Sequence, residues 1–118
     1  MLFRSAIERN PVCIQATANA GNEEIMQQVE ALENESIYDG PGRLAQPDEV
    51  WNYGRGDGVE KAILVACLLR PRRPADEIRI VIDSLSARVQ CGSLTCSFPS
   101  SKALAPTEWV IAAETRRA

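Results

Sequence analysis

The sequence predicts an α+β domain in which N-terminal helices, one of them buried and central, pack on a small antiparallel β-sheet. Three observations predict it. Apolar residues recur at helical spacing after Asn22, residues 62–69 are apolar on nearly every side, and the period falls to two from Ile78 onward.

Taken in order, residues 11–17, PVCIQAT, alternate weakly and read as a first strand. A helix is expected from Asn22 to about Asn34, with Asn22 as N-cap and Glu23 and Glu24 at its positive end. Its core stripe is Ile25, Met26, Val29 and Leu32. Asp39, Gly40, Pro41 and Gly42 exclude regular structure and mark a loop. Pro47 suits the first position of a short helix, PDEVWNY, which Gly54 can end in a left-handed conformation. Asp57 caps the next helix, and Glu60, three residues on, reciprocates as in a capping box. Because Ala62 to Leu69 is apolar all round, this helix must be covered all round. Arg70 and Pro71 end it, since the residue before a proline is pushed out of the helical region.

Ile78, Ile80 and Ile82 alternate with Arg79, Val81 and Asp83, a strand signature. The segment SARVQCGSLTCSFP reads as a hairpin turning at Gly92 and Ser93. In that register Cys91 faces Leu94, Val89 faces Cys96 and Ala87 faces Phe98, all on one side of the sheet. Arg88, Gln90, Thr95 and Ser97 take the other side. Cys91 and Cys96 then lie on a diagonal of about 7–8 Å, too wide for an unstrained disulfide. After the polar loop PSSKALAPT, EWVIAAE reads as a last strand with Trp109 and Ile111 on one side, completing an antiparallel meander.

A chain of 118 residues suits one domain, spanning residues 1–118, with a core of its own. Its net charge of −3 disfavours a nucleic-acid partner, which needs a surplus of Lys and Arg. No apolar run approaches the roughly 18 residues a membrane span requires. The opening MLFRSAIERN is broken by Arg4, Glu8 and Arg9, so a cytoplasmic location is expected. Arg70, Arg72 and Arg73 read as a solvated helix end suited to the negative end of the helix dipole, with phosphate or acidic-partner binding as the alternative. The cysteines Cys13, Cys67, Cys91 and Cys96 read as reduced, mostly buried thiols, with no metal and no cofactor expected. There is no histidine, so a zinc site would need all four thiolates, yet Cys67 sits in the apolar helix run.

The stretch WNYGRGDGVEKAILVACLL, residues 51–69, resembles the transglutaminase-like superfamily, whose core is shared with papain-like cysteine proteases. In that family a Gly-Asp-Cys element opens a buried helix, and Gly56, Asp57, Val59, Glu60, Ala62 and Leu68 to Arg70 match the layout. The resemblance extends over roughly residues 22–83 and implies a central helix followed by an antiparallel sheet. It also implies a Cys at the helix N-terminus, with His and Asp on the strands that follow. Here Gly58 stands where that Cys would be, and no His exists to act as base. The resemblance therefore implies a degenerate, catalytically inactive member.

A binding or scaffolding module is the leading expectation. Backbone N–H groups of Gly58, Val59 and Glu60 at a positive helix end would take an anion, a carboxylate or a peptide carbonyl. Trp51, Tyr53 and Arg55 would be the walls, and Asp57 the neighbouring acid. Against this stands a bland alternative in which Asp57 only caps the helix and Gly58 is only a turn residue. Trp51 and Tyr53 are equally suited to filling the core. Two further classes remain open: a small structural or oligomeric subunit, and a carboxylate-dependent hydrolase or lyase pairing Asp57 with Asp39, Asp48 or Asp83. A peptide or protein partner and a monomer or weak dimer are expected.

Overall fold

The computed structural model describes residues 11–38, 43–73, 75–102 and 104–111. Four helices precede four strands: α1 (Pro11–Ala16), α2 (Asn22–Glu30), α3 (Pro47–Tyr53), α4 (Gly58–Leu69), β1 (Ile78–Ile82), β2 (Ser86–Cys91), β3 (Leu94–Pro99) and β4 (Thr107–Ile111). This is the α+β arrangement the sequence predicts. Every residue of α4 is buried, because the helix lies between the sheet strands β1, β2 and β3 on one side and α1, α2 and α3 on the other.

Residues 11–17 do not form a strand. Pro11 opens a helix, and the carboxylate of Asp48, far along the chain, accepts the N–H groups of Val12 and Cys13 at 3.1 and 2.9 Å. Two of the orphan donors of that helix start are thus satisfied from outside. The next helix begins after Gly21 as N-cap, not at an Asn22 cap, and it stops at Glu30 instead of Asn34. Its early end has a cause: the Glu33 N–H donates to the Gly54 carbonyl instead of back into the helix, and the Leu32 carbonyl and the Asn34 amide oxygen left beyond it accept from the Lys61 ammonium. Glu33 is meanwhile held by a parallel bridge to Arg55.

The short helix α3 has the predicted bounds, with Gly54 left-handed at φ 69°. The α4 capping box is formed, the Asp57 carboxylate taking the Glu60 N–H and Glu60 taking the Asp57 N–H, and Asp57 accepts from the Val59 N–H as well. The hairpin pairs Cys91 with Leu94, Val89 with Cys96 and Ala87 with Phe98, and Gly92 takes the positive φ of 58° that its turn needs.

The sheet order is β3-β2-β1-β4, antiparallel throughout. A plain meander would set β4 beside β3. Instead the chain leaves β3 at Pro99, crosses to the opposite side and pairs β4 with β1. Among the described residues of that crossover, Ser100, Ser101 and Lys102 are tied down by side-chain hydrogen bonds to the start of α4 and to the loop before α3.

The arginines after α4 are not a solvated end. Arg70 is 4% exposed and donates to the carbonyls of Arg73 and Asp76. Arg72 donates to the carbonyls of Thr17 and Ala20 between α1 and α2. Arg72 therefore fastens the end of α4 to the α1–α2 connection, while Arg70 and Arg73 hold the turn that leads to β1. All four cysteines are free thiols, three of them buried and Cys96 half-buried. No helix among the described residues is long and apolar enough to cross a membrane.

Candidate functional site

The sequence points to the amino end of α4, and the structure shows what occupies it. Asp57 is 2% exposed. Besides the capping-box contact, its carboxylate accepts from the Val59 N–H (3.0 Å), the Ser101 N–H (2.7 Å) and the hydroxyls of Ser100 (2.7 Å) and Ser101 (3.3 Å). Burial alone would raise its pKa, but these donors outweigh burial and hold the carboxyl below its ordinary value.

Gly58 meets the end of β3 directly. A Cβ built there would lie 2.2 Å from the Pro99 carbonyl oxygen and 2.8 Å from that of Phe98. The missing side chain is thus space taken by the backbone of β3, not a vacancy facing solvent. An anion seat on the N–H groups of Gly58, Val59 and Glu60 is corrected accordingly. The Val59 N–H is already given to Asp57, and Gly58, Val59 and Glu60 are all buried.

Glu60 and Lys61 continue the closure. Glu60 is fully buried, one carboxylate oxygen accepting the Asp57 N–H at 2.8 Å and the other the Ala45 N–H (2.5 Å) and the Ser36 hydroxyl (2.8 Å). It therefore ties α4 to both segments flanking the loop before α3. Lys61, also fully buried, grips the end of α2, and burial pushes its ammonium below its ordinary pKa against the pull of Glu30 and Asp57. Lys102 donates to the Tyr38 and Arg43 carbonyls at 3.1 and 3.0 Å, pinning the crossover to the same loop.

The six residues marked by the sequence therefore divide into two groups. Asp57, Gly58 and Val59 are sealed inside. Trp51 is half-buried against the core, Tyr53 is 66% exposed, and Arg55 faces Glu35 at 3.8 Å on the surface. They do not form the walls of one cleft around Gly58. Of the other carboxylates weighed, Asp48 serves the α1 N-terminus, and Asp83 accepts from the Leu85 and Ser86 N–H groups in the β1–β2 turn. Asp39 lies outside the described residues. Among the described residues no three Cys, Asp or Glu side chains gather where they would hold a metal ion.

Cys13 and Cys67 meet across α1 and α4, and that hydrogen bond, then burial and Asp48, pushes the Cys13 thiol well up. Burial, then Glu30, pushes the Cys96 thiol up to about 12. Both stay protonated at neutral pH, which leaves them poor nucleophiles.

Compared with family models, with curated proteins and with solved structures, the chain finds no match. Sequence reasoning did not foresee Ser100, Ser101 or Lys102. They sit in a polar run whose only readable signal was hydrophilicity, and their partners lie more than 40 residues away in the chain.

Proposed function

We propose that this chain is a degenerate transglutaminase-like domain that has no catalytic centre and works as a binding or scaffolding module. One observation carries the reading: the helix end where the family resemblance puts a nucleophile is filled by the Phe98–Pro99 backbone and closed by the Asp57 network. The chain has no histidine to activate a thiol, and Cys13 and Cys96 are held in the neutral form. The Asp57 and Glu60 carboxylates at the helix end are both spent on bonds within the fold. Such a domain acts through the surface it presents, and its free thiols suit the reducing cytoplasm.

The test is an exchange assay joining a fluorescent primary amine to a glutamine-bearing peptide, run beside an ester-hydrolysis assay. Wild type and Gly58→Cys are both expected to match the protein-free blank. Turnover proportional to protein concentration and lost on replacing any one cysteine by serine would overturn the proposal.

A further inference from the structure

β3 is an outer strand of the sheet, and its pairing fixes which of its backbone groups face outward. In a two-residue hairpin the residues flanking the turn form a hydrogen-bonded pair, and bonded and non-bonded pairs then alternate. Cys91–Leu94, Val89–Cys96 and Ala87–Phe98 are therefore the bonded pairs. The N–H and C=O groups of Thr95 and Ser97 point the other way, along the free edge. Lys, a bulge or Pro ordinarily blunts such an edge. At Thr95 and Ser97 there is none of these, and only Pro99 ends the strand.

Beside this edge runs a groove of about 420 Å³. Its far wall is one face of α2, formed by Glu23, Met26, Gln27 and Glu30, which recur at helical spacing. Among the described residues two carboxylates line the groove and no Lys or Arg does. We propose that the groove binds an extended peptide segment rich in Lys or Arg, which adds to the sheet as a fifth strand beside β3. The Thr95 and Ser97 backbone supplies the ladder, and Glu23 and Glu30 select the cations. These two glutamates lie about 10 Å apart along the helix axis. Side chains on one side of a strand repeat every ~7 Å, a difference that flexible Lys stems take up. A second copy of the chain suits the groove less well, because its own edge, LTCSFP, offers no cation to the two carboxylates.

This inference rests on the module being non-catalytic and supplies its partner. It is tested by NMR titration of the ¹⁵N-labelled full chain with a blocked seven-residue peptide alternating Lys with Val and ending in Gln. The expected result is that Thr95 and Ser97 amide signals shift and their solvent exchange slows, with Glu23→Lys/Glu30→Lys weakening affinity about tenfold or more. Ser97→Pro, which removes one outward N–H, should abolish binding, and a Glu-for-Lys peptide should not bind. Three results would overturn the inference: no shift with peptide on the order of 1 mM, equal binding of the acidic peptide, or edge protection that grows with protein concentration in the absence of peptide. The recovered peptide is then weighed. Deamidated Gln would overturn the non-catalytic reading whatever the binding result, and an unchanged mass leaves the binding result to decide the inference alone.

Discussion

Replacing Gly58 by Ala asks directly whether the start of α4 is closed by the chain itself. The added Cβ would sit 2.2 Å from the Pro99 oxygen, 2.7 Å from the Pro99 carbonyl carbon and 2.8 Å from the Phe98 oxygen, where ordinary contact begins near 3.4 Å. These are backbone atoms, so no side chain can swing away. The end of β3 must retreat by more than an ångström, and Ser100 and Ser101, which bond Asp57, directly follow it. Overpacking of this kind costs about 1–3 kcal/mol. Each strained hydrogen bond to the carboxylate adds about 1–2 kcal/mol. Against this, Ala in place of Gly within a helix gains up to about 1 kcal/mol. The net expectation is a loss of about 2–4 kcal/mol, or a Tm lower by about 10 °C for a domain of this size. Thermal and urea unfolding followed by circular dichroism measure it. Gly21→Ala is the control, because nothing lies within 4 Å of the added atom, and it should stay within about 1 kcal/mol of wild type. If Gly58→Ala is as stable as wild type or more so, the closed helix end is refuted.

Three further outcomes follow from the same contacts. Glu60→Gln should cost about 2 kcal/mol or more, because each carboxylate oxygen faces a backbone N–H, from Asp57 or from Ala45, and the new amide group must oppose one of them; urea unfolding at neutral pH measures it, and a loss below half that size refutes the account. The Asp57 pKa is depressed in the folded protein, so its contribution is complete above the unfolded carboxyl pKa and is lost as pH falls through the folded one. Asp57→Asn should therefore be less stable than wild type at pH 7, with the gap closing below about pH 4, and a gap independent of pH would contradict the network. Gly92→Ala should cost about 1–2 kcal/mol, since φ is 58° and the added Cβ would crowd Arg73 and Asp76 at 3.0 and 3.1 Å; unchanged thermal stability would argue against the turn.

What the sequence revealed and what it hid divide along contact range. The capping box of Asp57 and Glu60, the Pro47 and Gly54 ends of α3, and the Gly92–Ser93 turn that sets the hairpin register each depend on residues within a few positions of one another. Local rules therefore read them correctly. The weak alternation of PVCIQAT misled because its helix is capped by Asp48, and no local rule registers a cap supplied from 35 residues away. Likewise α2 stops early because the Glu33 N–H goes to the carbonyl of Gly54, at the far end of another helix. The candidate site failed in the same way. Asp57 and Gly58 were legible as a helix start, but whether that start opens to solvent was decided by the crossover of β3 to β4. That path depends on β4 choosing β1 over β3 as its partner, which alternation alone does not specify.

The central claim is that the amino end of α4 is closed by Ser100 and Ser101 bonded to a buried carboxylate. Native-state hydrogen exchange of the Ser101 amide, a residue whose own side chain is exposed, tests it most directly. The account predicts slow exchange at neutral pH for both Ser101 and Val59, lost at Ser101 in Asp57→Ala. Exchange of the Ser101 amide at the rate of an unprotected peptide in the wild-type protein would contradict it.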